Sequence, residues 1–514
     1  MTIRSETPAV PARGLTIEQN ALNTIDESER HGRPSSLFWP WFGANVSILG
    51  IAYGSYLLGF GVSFWQATIV GIVGIVVSFF FCGVIAIAGK RGSAPTMVLS
   101  RAAFGVNGNR LTSLLSWILT VGWETVLAAI AVLSTVQVFQ LLGWAGPVTT
   151  DAASGATSAP GDVVVSVVAL IVIVLAIIFA GVYGFTLIMR LQVWVTIITG
   201  VLTIVFFVLV IPKIDWNAVM AQPSGDAAAV IGGLVFMLTG FGLGWVNVAA
   251  DYSRYLPRSS SGGAITGWTT FGASVAPAVL LVFGILLSGS SKDLNTAVSS
   301  YSVGGLATLV PSWFFIPFLI VALLGLIGGA ALDIYSSGLA LLSIGVKVPR
   351  YVAAGIDGLV MTLGAIVIVF VAPNFNTPFQ GFLILTGVPV ATWAGIMLAD
   401  IALRKKAYSE KDLYDRKGRY GDVNWYSIAL VVVGTGIGWG LIVNASSFLT
   451  WLGYLLEPFG LGGRSGAWSY ANLGVLAALL IGFVGGLFRA ASIRRQEADS
   501  AAGPAHSTSE SVAD

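Results

Sequence analysis

Twelve runs of roughly 20 or more mostly apolar residues punctuate this chain, and each is long enough to cross a bilayer's hydrocarbon layer as an α-helix. They lie near 37–60, 64–88, 110–142, 163–186, 189–211, 228–249, 264–288, 312–345, 351–372, 377–401, 426–449 and 468–489. The runs are continuously apolar and do not alternate at period two, which argues against a β-barrel. In lipid the backbone polar groups must be satisfied within each segment, which makes the runs helices. Composition agrees. Only 10% of the 514 residues are charged and 56% are hydrophobic, against about 25% charged in an ordinary soluble domain. So few charges exclude an ordinary soluble enzyme, and so much apolar mass excludes a disordered chain. The expected fold class is an all-α polytopic membrane protein with 12 transmembrane helices.

The placement of Lys and Arg tests that count. With the N-terminus in the cytoplasm and the spans alternating, 23 of the 26 cations fall inside; only Lys213, Lys292 and Arg464 fall outside. This is the positive-inside bias, and one helix more or fewer would scramble it. The expected location is the plasma (inner) membrane, multi-pass, with both termini cytoplasmic. No secretory signal is expected, since the first apolar run begins at Leu37. The organisation reads as a cytoplasmic polar N-tail (1–35), five spans (36–212), five more (228–401), a cytoplasmic basic loop (402–425), two last spans (426–490) and a disordered C-tail (491–514). The extracellular stretch 145–160 is rich in Gly, Ala, Ser and Thr and reads as flexible.

The third and eighth spans are the unusually long ones. The first and sixth are both glycine-rich: Gly43, Gly50, Gly54 and Gly59 in one, Gly232, Gly233, Gly240, Gly242 and Gly244 in the other. Both pairings are five spans apart. A unit with an odd number of helices must be followed by one of opposite orientation, so the repeat is inverted, as in secondary transporters that hold substrate near the midplane between broken helices. The plainer alternative is that each glycine only lets helices pack closely.

Net charge of +2 points to no nucleic-acid partner. The single cysteine, Cys82, and two histidines in the polar tails, His31 and His506, supply neither a disulfide nor a metal-ligand set nor a catalytic centre. No enzyme, metal or cofactor is expected. Of the acids, Glu124 in span three and Asp333 in span eight lie deepest, with no deep Lys or Arg to neutralise them. Such groups are costly in a bilayer and mark cavities or ion paths. They are candidates for protonation, for binding a cation or an amine-bearing substrate, or for a buried structural hydrogen bond. Asp357 lies two turns into span nine, where snorkelling is an alternative. Asp251 reads as a local ion pair with Arg254, and Asp400 sits near a cytoplasmic helix end. Trp123 and Trp245 lie inside their spans beside an acid or glycines, where a flat ring suits a planar heteroaromatic ligand. Asn45 and Asn247, in the two glycine-rich spans, are placed to coordinate an ion or ligand or to cap unwound backbone.

Several segments resemble the nucleobase:cation symporter-1 family, within it the purine–cytosine permeases. They are TIDESERHG (24–32), GKRGSAPTMVLSRAAFGVNGNR (89–110), VGWE (121–124), GWVNVAADYSRYLP (244–257) and LDIYSSGLAL (332–341). The resemblance spans about 25–450. It implies a leucine-transporter-like 5+5 inverted repeat plus two C-terminal helices, and cation-coupled nucleobase import by alternating access. It implies that Trp123 and Trp245 sandwich the ring while Asn45, Gly50, Glu124, Asn247 and Asp333 line its edge. The chain departs from the family pattern at Leu127, where relatives often carry an amide, and at Asp333, where Asn is usual. An ionised carboxylate accepts but does not donate, which favours an N–H-rich edge such as that of cytosine or adenine over uracil. The coupling ion is read as a proton, carried by Glu124 or Asp333. Sodium, held by span-one carbonyls and the hydroxyl of Ser336 or Ser337, is the alternative. Allantoin or hydantoin, uracil or thiamine symport is the alternative within the family, and a non-transporting nucleobase receptor is the alternative outside it. The nucleobase and the bilayer are the expected partners, with no obligate protein partner.

Overall fold

The computed structural model describes residues 20–146, 162–300, 302–372 and 375–498, and every regular element among them is helical. Nine helices are long and apolar enough to cross a membrane among the described residues: Phe64–Gly92, Asn109–Leu141, Val163–Tyr183, Phe185–Lys213, Ala227–Val248, Gly262–Ser290, Ser312–Ile344, Arg350–Phe370 and Pro378–Leu403. The short apolar helices Leu49–Leu58 and Trp425–Gly440 and the bent pair Leu473–Leu487 and Ala490–Ala498 account for the other three apolar segments. This is consistent with twelve spans. The few polar residues at helix starts do capping work. Ser63 and Gln66 form a capping box at span two, and Asp162, Asp226 and Ser261 accept first-turn N–H groups at spans four, six and seven.

Spans three (Asn109–Leu141) and eight (Phe315–Ile344) make the most extensive helix pairing among the described residues. Spans one and seven cross with almost no side chain between them: a methyl group at Gly54 would come within 2.4 Å of the Gly284 backbone. Small residues permit this approach in place of a hydrophobic driving force that lipid does not supply.

Both glycine-rich spans are broken, for different reasons. Span one consists of two helices, Phe38–Asn45 and Leu49–Leu58. The break at Val46–Ile48 contains no glycine, contrary to the expectation that it would fall on one. Asn45 Nδ2 donates to the Trp41 carbonyl at 2.8 Å, competing with the helix's own bond there, and β-branched Val46 and Ile48 add little helix propensity. Span six does break among its glycines. Its α-helix ends at Gly240, short of the expected 249, and Phe241 leaves helical space at φ −119°, ψ −111°. Two 3-10 turns follow, Gly242–Gly244 and Val246–Val248.

Backbone groups freed inside a bilayer need partners, and neighbouring spans provide them. Gly242 N–H donates to Ser78 Oγ at 3.0 Å, Cys82 Sγ donates to the Gly242 carbonyl at 3.1 Å, and Tyr53 Oη donates to the Gly240 carbonyl at 3.1 Å. Gly242 must be glycine, because a Cβ there would sit 2.1 Å from the Ser78 backbone.

The polar ends fold onto the bundle more than their composition suggests. In the N-tail, Ile25 is buried, and Arg30 donates to the Leu256 and Lys90 carbonyls. Glu27 pairs with Arg258, which also pairs with Glu410 in the basic loop. The C-tail expected to be disordered from 491 instead continues as the helix Ala490–Ala498. It is clamped because Arg404 and Arg489 share the buried Asp400, Arg404 also reaches Gln496, and the amides of Lys405 and Lys406 bind Glu497. The remainder of both tails, and most of 145–160, lie outside the described residues. Span eleven ends at Gly440 rather than 449. Two helices between spans seven and eight, Lys292–Ser300 and Ser302–Ala307, were not expected.

Candidate functional site

The two breaks face each other across a small cavity of about 50 Å³. Its wall takes Ala44, Asn45, Ser47, Leu49, Gly50 and Tyr53 from span one, Gly240, Phe241 and Trp245 from span six, Trp123 and Leu127 from span three, and Gly325 and Asp333 from span eight. Four spans of the two halves thus converge on one point.

Trp123 is buried with its indole N–H unpartnered. It packs edge-on against Phe379 and Phe382 of span ten, at centroid distances of 5.9 and 6.3 Å. Gly244 gives it room, since a methyl there would meet Trp123 Nε1 at 2.8 Å. Trp245 is half-buried and meets Trp41 edge-on at 5.8 Å. Both indoles are oriented by other rings while lining the cavity. Asp333 is 1% exposed, and its Oδ2 has no hydrogen-bond partner.

Residues 24–457 match the family described as "Permease for cytosine/purines, uracil, thiamine, allantoin". The chain belongs to that family. YxlA of Bacillus subtilis (strain 168), provisionally named a purine-cytosine permease, is 25% identical over 436 residues, covering 82% of this chain and 87% of YxlA. The purine-cytosine permease FCY21 of Saccharomyces cerevisiae is 24% identical over 323 residues, 59% of this chain and 54% of FCY21. In fold the permease is similar to Mhp1, a nucleobase-cation-symport-1 family transporter solved closed with bromovinylhydantoin bound. The TM-score is 0.64 at 18% identity, covering 94% of this chain and 100% of Mhp1. It is also similar to inward-facing Mhp1, with a TM-score of 0.59 at 18% identity, covering 95% and 98% of the two chains. The permease is thus a membrane transporter, all-helical and Mhp1-like in fold, as the motifs implied.

Of the site residues expected from sequence, Asn45, Gly50, Trp123, Trp245 and Asp333 meet at the cavity. Asn45 also caps the break, as noted. Asn247 is not in the cavity wall: its Nδ2 donates to Ser116 Oγ of span three at 2.8 Å. Glu124 is 0% exposed and lies behind the wall, both carboxylate oxygens without a hydrogen-bond partner. Ser336 Oγ pairs with Tyr252 Oη at 3.2 Å, and Ser337 Oγ donates to Asp357 Oδ2 at 2.9 Å. Asp357 does not snorkel: it is fully buried and also accepts from Trp117 Nε1 at 2.7 Å. Nor is Asp251 held chiefly by Arg254. It accepts the amide and hydroxyl of Thr96 at 2.7 and 2.8 Å, while Arg254 reaches the Ala21 carbonyl and Tyr335 Oη.

Sequence reasoning missed Tyr53, Ser47 and Phe241 in the wall. Tyr53 was discoverable: it follows Gly50 by three residues, one turn along the same helix face. Phe241 is the aromatic inside Gly-Phe-Gly, where the helix fails. Phe379 stands behind Trp123 from span ten, and nothing in the sequence connects those two positions.

Proposed function

We propose that the permease imports cytosine or purine nucleobases in symport with protons, by alternating access, across the plasma membrane with both termini cytoplasmic. The observation that carries this reading is the cavity between the two breaks, where two indoles border a space into which a buried carboxylate is set. A nucleobase has two π-faces for the indoles and an edge for the acid. An ionised Asp333 would take N–H donors, which cytosine and adenine present and a dicarbonyl ring presents less fully. The names of YxlA and FCY21 support this substrate class.

Support for the proton comes from where hydroxyls stand. Span eight meets the span-one break through glycines: a methyl at Gly325 would lie 2.9 Å from the Val46 carbonyl, and one at Gly329 3.5 Å from the Ala44 carbonyl. Ser336 and Ser337 lie two to three turns further along and are engaged with Tyr252 and Asp357. A sodium ion seated on the span-one carbonyls would therefore lack the span-eight hydroxyls that would complete its shell.

The test is uptake of radiolabelled cytosine into proteoliposomes at varied pH and sodium, competed by adenine, hypoxanthine, uracil, allantoin, hydantoin and thiamine. Uptake driven by an inward proton gradient without sodium, and competed by purines, is expected. A failure of cytosine and every purine to enter or compete would overturn the substrate assignment. Dependence on sodium would overturn the proton, and saturable binding without flux would make the protein a receptor.

A further inference from the structure

We propose that the permease holds its nucleobase twice on the way in, first at an outer site between the outer ends of spans one, six and ten and the turn that leads into span twelve. The inference rests on the nucleobase reading above and adds to it a site that shares no residue with the central cavity.

The space is of the right size and in the right place. A cavity of about 440 Å³ opens beside the exposed Gly59, Asp226 and Tyr470. A smaller lobe of about 110 Å³ adjoins it, and Phe60, Gln380 and Tyr470 line both. Clefts that take small ligands measure about 300–1,000 Å³, whereas the central cavity measures about 50 Å³. With the termini cytoplasmic, these helix ends face outside, so a base arriving from there meets the outer cavity first.

Its chemistry suits a flat ring that carries N–H groups. Asn472 directly precedes the helix Leu473–Leu487, where an Asn oxygen ordinarily accepts a first-turn N–H. Here the side chain makes no such bond. Its Nδ2 donates instead to the Tyr470 carbonyl at 3.0 Å, on a backbone turned to φ +51°, which Asn tolerates better than most residues. The amide is thus fixed in the wall of the smaller lobe, 5% exposed, with Oδ1 unpartnered. A buried acceptor without a donor is costly, and a ligand N–H in the lobe relieves that cost. Phe60 and Tyr470 offer ring surface to both lobes. Asp226, whose Oδ1 caps span six through the Ala229 amide at 2.9 Å, sets a carboxylate at the rim. Gly232 of span six lets these parts meet: a methyl there would come within 2.6 Å of the Tyr470 carbonyl and 3.0 Å of the Phe60 ring.

One layer of rings separates the two sites. Tyr53 lines the central cavity, and Tyr56, one turn or about 4.5 Å further out on the same helix, lines the outer one. Both pack against Phe236 and Phe379, at centroid distances of 5.3 to 6.2 Å, and all four rings are buried. A base in the outer site therefore waits one ring layer away from the cavity that Trp123 and Trp245 border.

The experiment is equilibrium binding of radiolabelled cytosine to the purified full-length permease, taken to saturation, beside uptake into proteoliposomes. Wild type, Trp123→Ala, Tyr470→Ala and Asn472→Gly are compared. Gly accepts the positive φ at 472, and Tyr470 is 62% exposed, so neither change empties the core. Wild type should bind two cytosines per chain, the second more weakly. Tyr470→Ala and Asn472→Gly should bind one, with an affinity within about twofold of the tighter wild-type site, while Trp123→Ala should weaken the tighter site alone. One cytosine per wild-type chain at saturation overturns the outer site and leaves the transport reading standing. Two cytosines in both Tyr470→Ala and Asn472→Gly overturn its placement here. Cytosine that neither binds to nor enters with the wild type refutes the nucleobase reading itself, and the outer site falls with it. If Asn472→Gly does not fold, Tyr470→Ala decides alone.

Discussion

A tryptophan that serves as a ring platform and one that merely fills a helix interface differ in what their removal does. Replacing Trp123 or Trp245 by Ala should weaken nucleobase binding by about 10- to 100-fold, since base–aromatic stacking contributes about 1–3 kcal/mol; Phe should restore part of it. Competition binding of labelled cytosine measures this, and an unchanged Kd removes that indole from the site. Gly244→Ala should act on the same property indirectly. Its methyl would intrude to 2.8 Å from Trp123 Nε1, displacing the ring while leaving the melting temperature of the detergent-purified permease within a few degrees. At this scale the sequence was informative where chemistry is costly. An acid, an amide or a tryptophan deep in an apolar run stands out, which is how Asp333, Asn45 and the two indoles were found. Tyr53 and Phe241 did not stand out, because an aromatic in a membrane helix is ordinary until its neighbours are known.

At the scale of one element, span six shows how a helix is interrupted within a bilayer. Ser78→Ala would leave the Gly242 N–H without its acceptor, and an unsatisfied buried donor costs about 1–3 kcal/mol. Gly242→Ala should cost as much or more by overpacking against the Ser78 backbone. Both should lower the melting temperature, and a variant as stable as wild type would show that span two does not support the break. The spans themselves were legible in the sequence, because length and hydropathy report directly on the hydrocarbon thickness. The break in span one was not legible in place, because it is set by Asn45 returning to the Trp41 carbonyl, helped only by the weak helix propensity of Val46 and Ile48, and not by a glycine or proline. The helices at 292–307 were hidden for a similar reason. They are short, and Ser55 and Tyr56 of span one fasten them through Asn295, Ser299 and Ser302, contacts between distant parts of the chain.

Across the whole molecule, the cytoplasmic face is laced together by few charges used economically. Asp400 serves Arg404 and Arg489 together, so Asp400→Ala should leave two buried guanidinium groups unpaired and cost about 3–5 kcal/mol, read as a large drop in thermal stability and release of 490–498 to hydrogen exchange. The N-tail is tied differently. The hydrogen bond from Arg258 holds the exposed Glu27 carboxyl below its ordinary 4.5. A depressed acid stabilises the folded arrangement above its unfolded pKa and loses that contribution as pH falls through the folded value. Hydrogen exchange of residues 20–37 should therefore rise below pH 4.5 while the spans stay protected, and Glu27→Gln should show raised exchange already at pH 7. One feature of the bundle also gives experimenters a tool. Cys82 is the only thiol in the chain and is fastened to the Gly242 carbonyl at the point where span six comes apart. A maleimide or a fluorine tag on it needs no cysteine-free background. Its labelling rate becomes a clock for how often spans two and six separate, read in the wild-type protein as substrate and pH gradient are changed.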